Sequence, residues 1–460
     1  MGLWVSAALG LGGCPGGGST TGEAGTVGAG TGSSGQTATL TPRAPAGLDL
    51  ASFPLFVPSE GALPVGKADD EMRPQVRFSP DGRLLLACCT RVEGGAKGAW
   101  RVHLWDVEQG KVAGAFEHVP VPGGDPGAPW VSWSPKGSRI VVDDNHVVSV
   151  LLADTLKKVR EVPADYSAYS IDPKDQRMAW GRTNEDTFLI DLARGKTLAK
   201  NAPGGAATGL FVDIDWSPEG GRVLADGQIW RRDGGRAVSW EKATGERWPG
   251  DVPLGWSWTE DGKTLLVATG GKLTALDAEK GSVAWTAKEI EPPIAIHPGG
   301  DMLAFVAPTG TIGMFLFGGH GAGGTFTDDP PEPYPPRDEA RFWGDAIRFS
   351  KDGARFVVQR TFSPVRVCTT AEHRCIRLPF ETRQNTPPPV WRGADLFVQA
   401  GATIALWSPE EGRRFRLAAG GEGAKAGFDV SGDGRYLAVA VPGAAALVRL
   451  GDRRVVALSP

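Results

Sequence analysis

From Gln75 onward, hydrophobic and polar positions alternate in short runs, each closed by a turn sequence. Gln75-Val76-Arg77-Phe78 has a period of two, the signature of a half-buried strand. It ends in Ser79-Pro80-Asp81-Gly82, where proline presets φ and glycine accepts a positive φ. A continuous apolar run, Leu84 to Cys88, predicts a second strand, and Val102-His103-Leu104-Trp105-Asp106 a third. A polar turn, Glu108-Gln109-Gly110-Lys111, leads to a fourth over Val112 to Phe116. Helical periodicity is nowhere sustained over two turns.

This strand–turn–strand unit recurs. Val131-Ser132-Trp133-Ser134-Pro135, Ile214-Asp215-Trp216-Ser217-Pro218 and Ile347-Arg348-Phe349-Ser350-Lys351 repeat its opening, and so does Phe428-Asp429-Val430-Ser431-Gly432. Ile171-Asp172-Pro173-Lys174, Trp256-Ser257-Trp258-Thr259-Glu260-Asp261-Gly262 and Ala295-Ile296-His297-Pro298 continue the series, and a degenerate copy lies at Val390-Trp391-Arg392-Gly393. Aligned on the position of Pro80, the anchors fall roughly every 44 residues, the length of a four-stranded propeller blade. The two longest intervals hold Val119–Pro129 and Gly318–Arg337, which read as loops because proline at that density does not sit in central strands. Unit five repeats the scheme as Thr264–Ala268, Lys272–Asp277 and Ser282–Thr286. Unit eight has strand-like runs at Leu396–Ala400, Thr403–Trp407 and Arg414–Ala418. The expected fold is all-β, a β-propeller of four-stranded blades in one ring of eight or nine, with nine anchors counted. Two smaller rings divided at Gly318–Arg337 are the alternative.

The Phe/Trp-Ser-Pro-x-Gly turns and the Leu104-Trp105-Asp106 end of unit one resemble WD40-like and TolB-type β-propellers over about residues 70–460. The resemblance implies a rigid binding fold, and TolB-like propellers dock other envelope proteins. Only Trp105-Asp106 is a true Trp-Asp pair and no Gly-His dipeptide opens a unit, so the His–Asp networks of strict WD40 repeats are not expected. Trp105, Trp133, Trp216, Trp258 and Trp407 fall on expected strands and should wedge neighbouring blades.

Ahead of the repeats, an apolar run ends in Leu11-Gly12-Gly13-Cys14. This resembles the lipobox of bacterial lipoproteins, although no Lys or Arg precedes the run. The resemblance implies a signal peptide over residues 1–13 and lipidation of Cys14. A Gly/Ser/Thr-rich linker over 14–47 follows, with the propeller over 48–460. A linker of this composition buries too little apolar surface to fold and should act as a disordered tether with a reach of about 30 Å. Pro15 after the cysteine favours the outer over the inner membrane. A soluble secreted or periplasmic protein is the alternative, and a cytosolic protein with a chance cysteine a further one.

Composition narrows the chemistry. Net charge is −4 from 49 basic and 53 acidic residues, with no long basic run, so the electrostatic footprint of a nucleic-acid binder is missing. No apolar stretch is long enough for a spanning helix. His103, His118, His146, His297, His320 and His373 are scattered, none at metal-ligand spacing, and no Gly-x-Ser-x-Gly elbow occurs. Asp143-Asp144-Asn145-His146 reads as a hairpin turn between two apolar runs rather than a metal loop. The glycine cluster at Gly318–Gly324 is not followed by Lys-Ser/Thr, and Asp328–Pro336 reads as a stiff acidic surface loop. With Cys14 lipidated, four cysteines remain. Cys368 and Cys375 stand opposite each other in an expected hairpin and form a candidate disulfide, whereas Cys88 and Cys89 are either a buried free pair or a vicinal disulfide.

The sequence therefore points to a non-enzymatic, monomeric envelope lipoprotein without metal, cofactor or catalytic residue. It would present a propeller face to a protein or glycan partner, with the membrane contacted only through the lipid. A quinone- or metal-dependent dehydrogenase or lactonase on the same fold is one alternative, and a structural spacer another.

Overall fold

The computed structural model describes residues 53–55 and 57–58 and most of 75–459. The larger stretches outside the described residues between 75 and 459 are 93–98, 121–128, 202–213, 249–253, 329–345, 382–386 and 419–425. Cys14 and the expected signal segment and tether lie outside the described residues.

Nine four-stranded antiparallel blades follow one another along the chain, each in simple up-and-down order, and form a nine-bladed propeller ring, the seventh sheet carrying a short fifth strand. The inner strands are, in order, Gln75–Phe78, Trp130–Trp133, Ser167–Ile171, Ile214–Trp216, Leu254–Trp258, Glu291–Ile296, Ala346–Phe349, Val390–Arg392 and Gly427–Val430. The weak eighth copy is a complete blade, completed by Asp395–Ala400, Thr403–Ser408 and Arg413–Ala418.

Each blade is apolar on both faces because it is packed on both sides, as the continuous apolar second and third strands predict. In blade 1, Val76, Phe78, Leu85 and Ala87 pack against Ala438, Ala440 and Leu447 of blade 9. On its opposite face Leu86, Cys88, Val102 and Leu104 pack against Val131, Trp133, Ile140 and Val142 of blade 2. The first contact closes the ring, and among the described residues no strand is exchanged between blades 9 and 1. Outermost strands are more exposed: Lys111–His118 and Ser282–Lys288 have no buried residue.

The segment ahead of the first blade is fastened elsewhere. Phe53 is fully buried between blades 7 and 8, edge-on to Phe380 with ring centroids 5.0 Å apart. The Arg416 N–H donates to the Pro54 carbonyl at 3.0 Å, and Leu55 forms a parallel bridge with Arg416 on the rim of blade 8.

Three expectations are corrected or completed. Part of the expected loop Gly318–Arg337 is strand: Gly321–Thr325 is the outer strand of blade 6, and Thr327–Asp328 pairs in parallel with Arg374–Glu381 of blade 7. Glycine carries no strand signal, but the ladder needs only backbone groups, which the Ile312–Leu316 edge supplies. Blade 4 has an outer strand of only two residues, Val238–Ser239, followed by the short helix Trp240–Thr244, capped by Ser239 and ended by Gly245. The helix buries Trp240 against blade 5. Finally, the Cys88 sulfur is in a disulfide and not a free thiol, and its partner's side chain lies outside the described residues. A register shift between Cys88 and Thr90 bulges the strand there, which breaks the strict alternation of faces.

Candidate functional site

The two faces of the ring are built differently. On one face lie the connections between first and second strands and between third and fourth strands. The first set is 79–83, 134–138, 172–176, 217–221, 259–263, 297–301, 350–354, 393–394 and 431–435, all short. Their polar side chains are committed to the turns themselves. The Ser79 hydroxyl donates to Asp81 at 2.6 Å and accepts the Leu84 N–H at 2.9 Å, and Asp81 accepts the Arg83 N–H. The same pattern recurs at Thr259/Asp261, Ser350/Asp352 and Ser431/Asp433. Asp433 is the most affected of these acids. Burial works against ionisation, but the bonds from Ser431 and the Arg435 N–H prevail and hold its pKa down at about 2. At the ends of third strands, Asp106, Asp191 and Asp277 accept N–H groups of the next turn. The Trp105-Asp106 pair is thus a turn cap.

On the opposite face lie the described ends of outer strands and of the next blades' inner strands, and most of the sequence separations between them are longer than on the turn face. This loop face also carries an interblade pair. His118 at the end of blade 1 meets Asp144 of blade 2, Nε2 to Oδ2 2.8 Å, with Asp144 buried and His118 mostly so. Burial opposes ionisation of Asp144, yet the bonds from His118 and from the His146 and Val147 N–H groups outweigh it and hold the carboxyl below its usual range. Asp143–His146 is thus a hairpin turn with a structural acid. Among the described residues no group of three or more His, Cys, Asp or Glu is placed to hold a metal.

The inner rim brings together residues that the sequence reading did not single out. The residue two before each turn serine lies on the blade face that meets the next blade, at the edge of the ring axis. Trp indoles mark this seam: Trp133, Trp216 and Trp391 donate Nε1–H to the carbonyls of Arg77, Ser170 and Arg348 in the preceding blade, at 2.9, 3.0 and 2.9 Å. Four rim residues carry charge: Arg77, Asp215, Arg348 and Asp429. Asp429 Oδ2 accepts the Phe78 N–H at 2.8 Å across the closing seam, and its Oδ1 lies 3.7 Å from Arg392 Nη2. Burial nevertheless pushes the Asp429 carboxyl above its usual range, against the pull of Arg77, the Phe78 N–H and Arg392. Asp215, in blade 4, is pushed up to about 7 by burial, only partly offset by the Trp256 side chain. Desolvation alone lowers the pKa of the Arg348 guanidinium. The signal was present in the sequence: these are the charged residues inside otherwise apolar strands, in Val-Arg-Phe-Ser, Ile-Asp-Trp-Ser, Ile-Arg-Phe-Ser and Phe-Asp-Val-Ser.

Cys368 and Cys375 are cross-strand partners in blade 7 and form a buried disulfide, with Cα atoms 4.0 Å apart.

Among solved structures, the chain is similar to the dihydro-heme d1 dehydrogenase NirN in complex with DHE. The TM-score is 0.49 and the identity 15%, over 74% of this chain and 76% of that one. It is also similar to KlHsv2 with loop 6CD replaced by a Gly-Ser linker, with a TM-score of 0.41 and 12% identity over 62% of this chain and 95% of that one. These likenesses concern the fold alone. No family model matches the chain, and no curated protein matches it.

Proposed function

We propose that this chain is a non-enzymatic envelope lipoprotein, anchored through Cys14, that presents the long-loop face of its propeller to a protein or glycan partner. The asymmetry between the faces carries this reading. On the turn face the connections are short and their polar groups bond one another. On the other face the sequence separations between described strand ends are mostly longer and differ from blade to blade. Recognition residues on a rigid scaffold concentrate in such loops. The bacterial outer membrane is the proposed location, with the tether setting the propeller off from the bilayer.

The test uses the full chain in native membranes with a photo-crosslinking residue at one position at a time. Loop-face positions are Pro163 and Glu289, and turn-face positions are Lys280 and Lys351, all exposed. A discrete adduct from the loop face alone is expected. Adducts from both faces, or from neither, overturn the reading. Separately, Cys14→Ser should lose palmitate label and leave the membrane pellet, and wild-type protein that never labels overturns the anchor without touching the binding face.

A further inference from the structure

The circumference of the ring is built differently at blades 7 and 8. The outer strand of blade 8 opens Arg413-Arg414-Phe415-Arg416. Phe415 and Leu417 pack toward blade 9, so Arg414 and Arg416 lie on the face turned to blade 7. In the outer strand of blade 7, Cys375 packs toward blade 6, so Arg374 lies on the face turned to blade 8. The three arginines therefore line one outer cleft from its two sides, and Phe53 is buried between the same two blades. Among the described residues none of the three guanidiniums has an acid or carbonyl partner, and Arg416 Nε is buried without one. Elsewhere on the circumference Arg101 is paired with Glu117, Lys158 with Glu161 and Arg449 with Asp452. Apolar surface lies beside the unpaired charge. Leu55, which bridges Arg416, is 54% exposed and Val57 is 63% exposed, the most of any large apolar side chain described. Counting from Cys14, Phe53 is the first described residue, so the expected tether joins the ring at this cleft and not at blade 1.

We propose that the outer cleft between blades 7 and 8 is a docking surface for an anionic lipid bilayer. Arg374, Arg414 and Arg416 meet headgroup phosphates, and Leu55 and Val57 enter the boundary with the acyl chains. A bilayer asks for unpaired cations beside exposed apolar side chains on one edge, and not for a closed pocket. An acidic peptide would answer the arginines alone. The chain as a whole carries a net charge of −4, so attraction to anionic lipid has to be local. With Cys14 anchored as proposed above, a tether joined at this cleft raises the cleft's effective concentration at the bilayer. That contribution rests on the anchor reading, whereas the arginines and the apolar pair do not depend on it. A reach of about 30 Å lets the ring stand off or lie edge-on, and in both positions the loop face stays open.

The full-length Cys14→Ser chain, which carries no lipid, is floated with vesicles of phosphatidylcholine alone and with vesicles that also contain phosphatidylglycerol. Binding should appear only with phosphatidylglycerol and should fall as salt is raised. Arg374→Gln, Arg414→Gln and Arg416→Gln combined should weaken it at least about tenfold. The same three positions changed to Lys should preserve it, since a phosphate also accepts a point charge, and this variant separates lost binding from lost folding. Leu55→Ser with Val57→Ser should weaken it several-fold. Lys111→Gln, Lys196→Gln and Lys288→Gln combined, all exposed on outer strands of other blades, should leave it unchanged. The proposal is overturned if phosphatidylglycerol vesicles do not bind, if phosphatidylcholine alone binds equally, or if the lysine variant loses as much as the Arg→Gln variant. Binding of soluble poly-glutamate without binding of vesicles would place an acidic protein in the cleft and overturn the bilayer. Wild type that never labels with palmitate, with vesicle binding of Cys14→Ser intact, would overturn the anchor alone. Docking by the cleft yields to salt, so the Cys14→Ser chain still leaves a salt-washed membrane pellet.

Discussion

Asp175 of blade 3 accepts the hydroxyl hydrogen of Ser134 in blade 2 at 2.6 Å. Blade 2 has Lys136 where blade 1 has Asp81, so its turn has no acid of its own. The neighbouring blade supplies one. Asp175 also accepts the Ser138 hydroxyl at 2.7 Å and the Ser138 and Lys136 N–H groups at 3.0 and 3.1 Å. It does so from a position where most blades have glycine, at φ 58°.

Asp175→Gly should therefore cost about 2–4 kcal/mol, since it leaves buried donors without an acceptor although it relaxes the backbone. Adding Lys136→Asp recreates the turn of blade 1 and should restore most of the loss. Urea denaturation of wild type, the single variant and the double variant measures both. A double variant no more stable than Asp175→Gly would show that the interblade bond is not a substitute for the local one.

Gly353 has φ +72°, and a Cβ there would collide with the His297 ring of blade 6. That ring is held in place by the Gly299 N–H and by an edge contact with Phe349. Gly300 has the same φ with nothing close by. Gly300→Ala should cost about 1 kcal/mol, the backbone penalty alone. Gly353→Ala should cost more, and His297→Ala in the same chain should recover the difference. Thermal melts of the four proteins decide it.

Asp215 links stability to pH. Its folded pKa of about 7 exceeds the unfolded value near 3.8, so the folded state holds the proton more tightly. Its contribution is unpenalised below pH 4, falls as pH rises from about 4 to 7, and is constant above. Asp215→Asn should gain on wild type across that window, by a few kcal/mol at most by pH 7. Stability curves at pH 4, 5.5 and 7 test this, and a constant difference between the two proteins would refute the linkage.

The Cys368–Cys375 bridge closes a short loop, for which chain entropy gives about 2.5 kcal/mol. Reduction with dithiothreitol, or Cys368→Ala with Cys375→Ala, should lower stability by up to that amount. In the double variant the reductant effect should shrink to what the Cys88 disulfide contributes, and a reductant effect as large as in wild type would show that the Cys368–Cys375 bridge adds nothing.

Much of the fold was legible because its signals are local. A Ser-Pro-Asp-Gly turn between two apolar runs states both strands and their connection, and nine such units at blade length leave few other architectures. The strands Lys272–Asp277 and Thr403–Ser408 follow the apolar pattern to within a residue. Gly321–Thr325 escaped because backbone pairing at an outer edge asks nothing of side chains. The helix after Ser239 escaped because five residues are too few to show a period. The charged rim was half legible. The charged residues stood out of place in apolar strands, but only closure of the ring sets Asp429 of blade 9 against the Phe78 N–H of blade 1 and within reach of Arg77.

By itself the sequence determined the repeat, the turn chemistry and the pairing of strands within each blade, all of which depend on residues close together in the chain. The tertiary structure decided what depends on residues far apart. It set the blade number, through the seam where Asp429 meets the Phe78 N–H, and the docking of Phe53 between blades 7 and 8. It gave Ser134 an acid from another blade. Those outcomes follow from which side chains closure of the ring brings into one low-polarity space, and a local pattern carries no record of that.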